Sequence, residues 1–247
     1  MAAGLEKVIQ GTFSATGGLP RMMCTISPNS RRGRTCRLGR RFGLGLSLAA
    51  MCAGALPAGA TVLQRQSLSD LAKKAEFIFE GQPVSRAVEA LPDGQGARTC
   101  FIFKVIQAIA GSRPGAGSHP DNVVRLCFFG GTIGDRGFAV SDLNMPTVGE
   151  HGIYLVESTG QPMLNPLIGW DQGHFLITKD TAGTLRVTTA DRRRVTGLAP
   201  LAARTAPEIV SPSGATAAGV ISDDQPDLAG AMSRDAFVKQ LRSLHDR

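Results

Sequence analysis

The sequence lacks the spacings that most hydrolytic and metal chemistry needs. Its four histidines, His119, His151, His174 and His245, each stand far from any other histidine or cysteine. The short His/Cys spacing of a zinc site is therefore missing, and there is no C-x-x-C pair. No G-x-S-x-G string occurs, so the strained turn that exposes a serine nucleophile in α/β-hydrolases has no counterpart. The glycine-rich stretch Gly131–Gly137 lacks the Lys-Ser/Thr that would touch phosphate and Mg²⁺, and after an apolar strand it reads as a turn or bulge. The sequence thus names no catalytic residue, no metal ligand and no cofactor.

Excess charge is also missing from most of the chain. The net charge is +7, but Lys7, Arg21, Arg31, Arg32, Arg34, Arg37, Arg40 and Arg41 face only Glu6 among residues 1–60. The remainder is neutral, which excludes the broad electrostatic footprint of a nucleic-acid or anionic-lipid binder. The basic segment has the form of a secretory leader. A cationic stretch from Arg31 to Arg41 precedes an apolar run from Phe42 to about Leu56, too short to cross a bilayer. Pro57 and the small-x-small pattern Ala58-Gly59-Ala60 follow. The expectation is cleavage near Ala60 and a periplasmic or extracellular mature domain with no integral span. Residues 1–21, ahead of Met22 and Met23, resemble no part of a signal peptide and read as an over-extended gene start.

Beyond the leader only Cys100 and Cys127 remain of five cysteines. In an oxidising compartment they are a disulfide candidate. A symmetric hairpin centred on residues 115–116 would set Cys100 opposite about residue 131. The bridge then needs a bulge or an asymmetric loop.

What is present is mostly strand signal. Ser67 caps a short helix whose Leu68, Leu71, Ala72 and Ala75 share a face. Phe77-Ile78-Phe79 opens a strand in which Gly81 and Pro83 mark a bend or an edge. In residues 98–109, Phe101, Phe103, Val105 and Ile109 alternate with Cys100, Ile102, Ile106 and Ala108, the pattern of a central strand apolar on both faces. A loop at 110–121, strands at 123–129 and 153–156, and a hairpin joining 174–179 to 184–189 follow. Residues 199–232, rich in Pro, Ala, Ser and Gly, read as a linker or disordered insertion. Ser233 caps a closing helix with Phe237, Leu241 and Leu244 on its buried stripe. The organisation is a leader at 1–60, a β domain at 61–198, the linker, and a helix at 233–247. The fold class is mainly β: a small antiparallel barrel, OB-like, or a sandwich, with a short N-terminal and a C-terminal helix.

The segments SLSDLAKKAEFIFEGQPV, TCFIFKVIQAIAG, VVRLCFFGG, VGEHGIYLV and GWDQGHFLI, in this order, resemble an uncharacterised family of exported bacterial proteins. The shared features are Ser67 to Leu71, Ala75-Glu76, Gly81 to Val84, Ala110-Gly111, Gly130-Gly131, Gly149-Glu150 and Gln172 to Phe175. In outline the arrangement is similar to the small barrels of the tissue-inhibitor and netrin-like class. That resemblance implies an OB-type barrel and an inhibitor of secreted proteases. Those inhibitors act through an N-terminal cysteine, where this chain has Thr61.

Three functions follow as expectations. The first is a non-enzymatic module binding a protein or ligand of the cell envelope, with Trp170, Asp171, Gln172 and His174 as its surface. The second is a periplasmic hydrolase built from His151, His174 and one of Asp135, Asp142 or Asp171. The third is the inhibitor. Arg192-Arg193-Arg194 reads as a solvated strand edge or a contact for an anionic polymer or lipid.

Overall fold

The computed structural model describes residues 62–112, 122–199 and 208–247. Residues 1–61, with the segment expected to be a leader, and His119 lie outside them. In chain order the elements are β1 (Leu63–Gln64), α1 (Leu68–Lys74), β2 (Phe77–Ala90), β3 (Ala97–Gly111), β4 (Val123–Phe129), β5 (Gly131–Ile133), β6 (Arg136–Phe138) and β7 (Gly152–Val156). A turn of 3-10 helix, Trp170–Gly173, leads into β8 (His174–Lys179), then β9 (Leu185–Thr189), β10 (Arg194–Leu198), β11 (Ile209–Val210), β12 (Val220–Asp223) and α2 (Arg234–His245).

Eight strands form one antiparallel sheet in the order β12-β10-β9-β8-β7-β2-β3-β4. The mainly β class with two helices is as expected. Closure into a barrel is not found: β12 and β4 stand at opposite edges of the sheet. The glycine-rich stretch forms the hairpin β5–β6. Among the described residues no helix is long and apolar enough to cross a membrane.

The sheet has two different faces. Ile78, Ile109, Ile153, Leu155, Phe175 and Ile177 pack with both helices, through Leu68 and Leu71 of α1 and Phe237 and Leu241 of α2. The other face is aromatic: Phe77, Phe79, Phe101, Phe103, Phe128 and Tyr154 form one cluster, with Leu143 and Met145 of the β6–β7 loop packed on it. Each helix starts at a serine whose Oγ accepts an N–H three residues on, from Asp70 for Ser67 and from Ala236 for Ser233.

One alternation differs from the sequence pattern. Ile109 shares parity with Phe101 and Phe103, yet it packs with the helices. The β2–β3 register explains this. It passes from Ile78↔Ala110 to Phe79↔Ala108, and from Glu80↔Gln107 to Gly81↔Val105, so Ile109 and Ile106 are extra residues on β3. Each bulge reverses which side the following residues face. At Gly81 a Cβ would lie 2.7 Å from the Lys104 carbonyl oxygen and 2.8 Å from the Phe79 ring, so only glycine lets that ring lie over the strand. The β7 ladder also ends at Gly81, which leaves the rest of β2 paired with β3 alone, in keeping with the bend-or-edge reading.

The segment read as a linker is structural over its described part. β11 pairs with β1, β12 pairs with β10, and Ala217 and Ala231 are buried. Residues 200–207 of that segment lie outside the description. Apolar periodicity does not hold β12. Arg194 instead clasps Asp223 with Nε at 2.6 Å and Nη2 at 2.7 Å, and Arg193 Nε reaches Asp224 at 2.8 Å. These pairs use two of the three consecutive arginines, so that cluster is an edge fastening.

Candidate functional site

His151 and His174 point to opposite faces of the sheet. Glu80 lies opposite Ile153 of the helix-side core, and His151 Nε2 is 2.7 Å from Glu80 Oε1. His174 lies opposite Tyr154 on the aromatic face. A hydrolytic site combining the two imidazoles is therefore not assembled. Asp135 is exposed in the β5–β6 turn and Asp142 is exposed in the following loop; neither bonds a histidine among the described residues. His245 is near Asp246 at the chain end. Among the described residues no group of three or more His, Cys, Asp or Glu could hold a metal ion.

The helix-side pair is a clamp. Glu80 is 2% exposed. It accepts from His151 on one oxygen and from Arg234 Nε, at 2.7 Å, and Nη2 on the other. Arg234 Nη2 also donates to Gln107 Oε1 at 2.5 Å. The first residue of α2 is thereby tied to β2 and β3. Burial alone would raise the Glu80 carboxyl, but the hydrogen bonds and charges of His151 and Arg234 together hold it below the usual range. Further along α2, Arg242 donates to the carbonyls of Ile109 and Ala108, covering backbone acceptors near the end of β3.

The second pair supports the Trp170 turn. Tyr154 stacks on His174 with centroids 4.9 Å apart and donates its hydroxyl to Glu150 Oε1 at 3.0 Å. Gly152 makes this possible, because a Cβ there would stand 2.9 Å from the Tyr154 Oη. His174 Nε2 is 3.0 Å from the same carboxylate oxygen, but off the line of the ring N–H, so the two groups touch without an aligned hydrogen bond. Burial pushes Glu150 up, while His174, the Thr147 N–H and Tyr154 pull it further down, below the ordinary carboxylate range. Burial, then the Glu150 charge, raises the Tyr154 hydroxyl far above its ordinary value.

No family model matches this chain. Nor does any curated protein or solved structure.

The four residues expected as a surface do sit together, but three of them face inward. Asp171 is 4% exposed, Gln172 0% and His174 7%. Asp171 Oδ2 accepts from Asn144 Nδ2 at 2.7 Å and from the Gly214 N–H at 2.8 Å. Burial raises its carboxyl, and those two hydrogen bonds only partly offset the effect. Gln172 accepts the Gln66 N–H at 2.8 Å and donates to the Gln64 carbonyl at 3.3 Å. Gly173 is obligatory, because a Cβ would lie 2.3 Å from the Ile168 carbonyl oxygen. Trp170 alone keeps contact with solvent, and it does so in a left-handed backbone conformation, φ 58°, that side chains other than glycine rarely adopt.

Sequence reasoning missed Glu80, Glu150 as a histidine partner, Asn144 and Arg234. Glu80 carried a signal: an acid directly after Phe77-Ile78-Phe79 is a charge inside an apolar strand, which a fold accepts only when that charge is paired.

Proposed function

We propose that this chain is an exported, non-enzymatic binding module that engages a protein or ligand of the cell envelope through the Trp170 turn. The observation that carries the reading is Trp170 itself, held partly exposed at a positive φ by a turn whose neighbours are pinned from beneath. Strained backbone persists only where surrounding contacts over-determine it, and such positions cluster at ligand contacts. Tryptophan is also the side chain most enriched at binding hot spots. The leader-like segment and the bonded Cys100–Cys127 pair support export. Three bulges in the β2–β3 pair, and a loop folded onto the aromatic face, support reading the sheet as an opened OB-type barrel.

The test is affinity capture from an envelope extract with the mature wild-type domain and with Trp170→Ala. A partner retained by the wild type and lost with the variant, at similar melting temperature, is the expected result. Equal retention by both proteins removes the Trp170 turn from the function.

A further inference from the structure

Cys100 and Cys127 are directly opposed in the β3–β4 ladder and bonded, with 4.0 Å between their Cα atoms. Side chains alternate along a strand, and Phe101, Phe103, Leu126 and Phe128 fill the aromatic core. The two sulfurs therefore stand on the opposite, outward face of this three-stranded end of the sheet. The surroundings of the two differ: Cys100 is 2% exposed, whereas Cys127 keeps contact with solvent.

Charge on that outward face is unbalanced. Arg98 precedes Cys100 by two residues and Arg125 precedes Cys127 by two, so both guanidinium groups lie on the side of the sulfurs, about 7 Å along their strands. Both donate to a single carboxylate, Glu89, from Arg98 Nη2 at 3.0 Å and from Arg125 Nη2 at 2.5 Å. Two cations on one anion leave positive charge beside the bond, and positive charge stabilises thiolate. The exposed Lys104 adds a further cation on the same face.

We propose that Cys100–Cys127 is a reversible thiol–disulfide exchange site that takes dithiol reductants at Cys127. An incoming thiolate attacks Cys127 Sγ, the S–S bond breaks, and its electron pair leaves on Cys100, which is protonated from solvent. The donor's second thiolate attacks its own sulfur in the mixed disulfide. That step releases Cys127 as thiolate and the donor as a disulfide, so two electrons pass to the protein. The fold survives the change. β4 remains paired with β3 from Arg98↔Phe129 to Lys104↔Val123, and its Val124, Leu126 and Phe128 stay in the aromatic core. Reduction gives the unfolded chain back its loop entropy, so the reduced protein melts at a lower temperature while remaining folded at 25 °C.

The experiment is equilibration of the oxidised chain in buffers of reduced and oxidised dithiothreitol without denaturant, with circular dichroism on each sample before acid quench and maleimide mass tagging. The expected result is two tagged cysteines per chain with the folded spectrum retained. Tagging that appears only when the spectrum is lost overturns the proposal. The single variants Cys100→Ser and Cys127→Ser test the direction of attack. The thiol left at Cys127 in the first should react with oxidised glutathione about tenfold faster than the buried thiol left at Cys100 in the second. Equal rates, or the reverse order, contradict Cys127 as the point of entry.

Discussion

The two histidine–glutamate pairs are built from the same residue types, and Glu150 and His151, one from each pair, are neighbours in sequence. Their surroundings give them different work. Glu80 is saturated by His151 and a two-pronged guanidinium, and it ties a helix across the sheet. Among the described residues Glu150 meets no guanidinium; it takes a phenol, a backbone N–H and an off-axis imidazole. A buried carboxylate matched by a guanidinium acts as a fastening, and its loss strands that charge. One met by an imidazole, a backbone N–H and a phenol holds geometry at lower energetic stake.

The largest break in this comparison is Glu80→Ala. It leaves Arg234 and His151 without their shared anion and should cost about 4 kcal/mol in urea unfolding. A loss under about 1 kcal/mol would remove the clamp from the account.

Acid should separate the pairs next. Glu80 and Glu150 are held below their ordinary 4.5, so the folded chain binds fewer protons than the unfolded one just below that pH. Their stabilisation is full above 4.5 and is lost as pH falls through their folded values. Asp171, raised above its ordinary 3.8 by burial, works the other way and returns a part as it protonates. Thermal melts should fall between about pH 5 and pH 3, and Glu80→Gln should make that fall shallower. A Glu80→Gln profile parallel to wild type contradicts the assignment.

Smaller effects belong to the second pair. Tyr154→Phe removes one donor from Glu150 and should cost about 1 kcal/mol. His174→Phe keeps the stacking on Tyr154 and removes a buried nitrogen without an aligned partner. It should cost about 1 kcal/mol by chemical denaturation, because Glu150 loses the neighbour that does most to hold its carboxyl down, and an unchanged stability would contradict that role.

Much of this fold was legible because its elements carry their own signals. Both serine caps, the 98–109 strand and the 174–189 hairpin follow from capping chemistry, alternation and turn residues. Asp180 Oδ1, for example, accepts the N–H groups of Ala182 and Thr184 within that hairpin turn. Ile109 was placed on the wrong face because a bulge belongs to the pairing of two strands, and one strand's pattern cannot reveal it. β12 was missed because guanidinium–carboxylate pairs and a ladder hold it, and neither leaves apolar periodicity. The expected cysteine pair forms, by the asymmetric loop that its bridge required. Cys100 faces Cys127 because the β3–β4 ladder stops at Lys104↔Val123 while β3 runs on to Gly111 against β2, so the connecting loop is asymmetric. At the site, the residues 170–174 were visible as a group, but which of them face inward depends on Gln66, Asn144 and Gly214, all remote in sequence.

Trp170 is the chain's single tryptophan, so its fluorescence reports on the proposed contact without background. Acrylamide quenching should be measured on the protein alone and with the partner that Trp170→Ala fails to retain. Substantial quenching of the free protein and clear protection in the complex are expected. Equal quenching in both states would contradict a binding module that works through this turn.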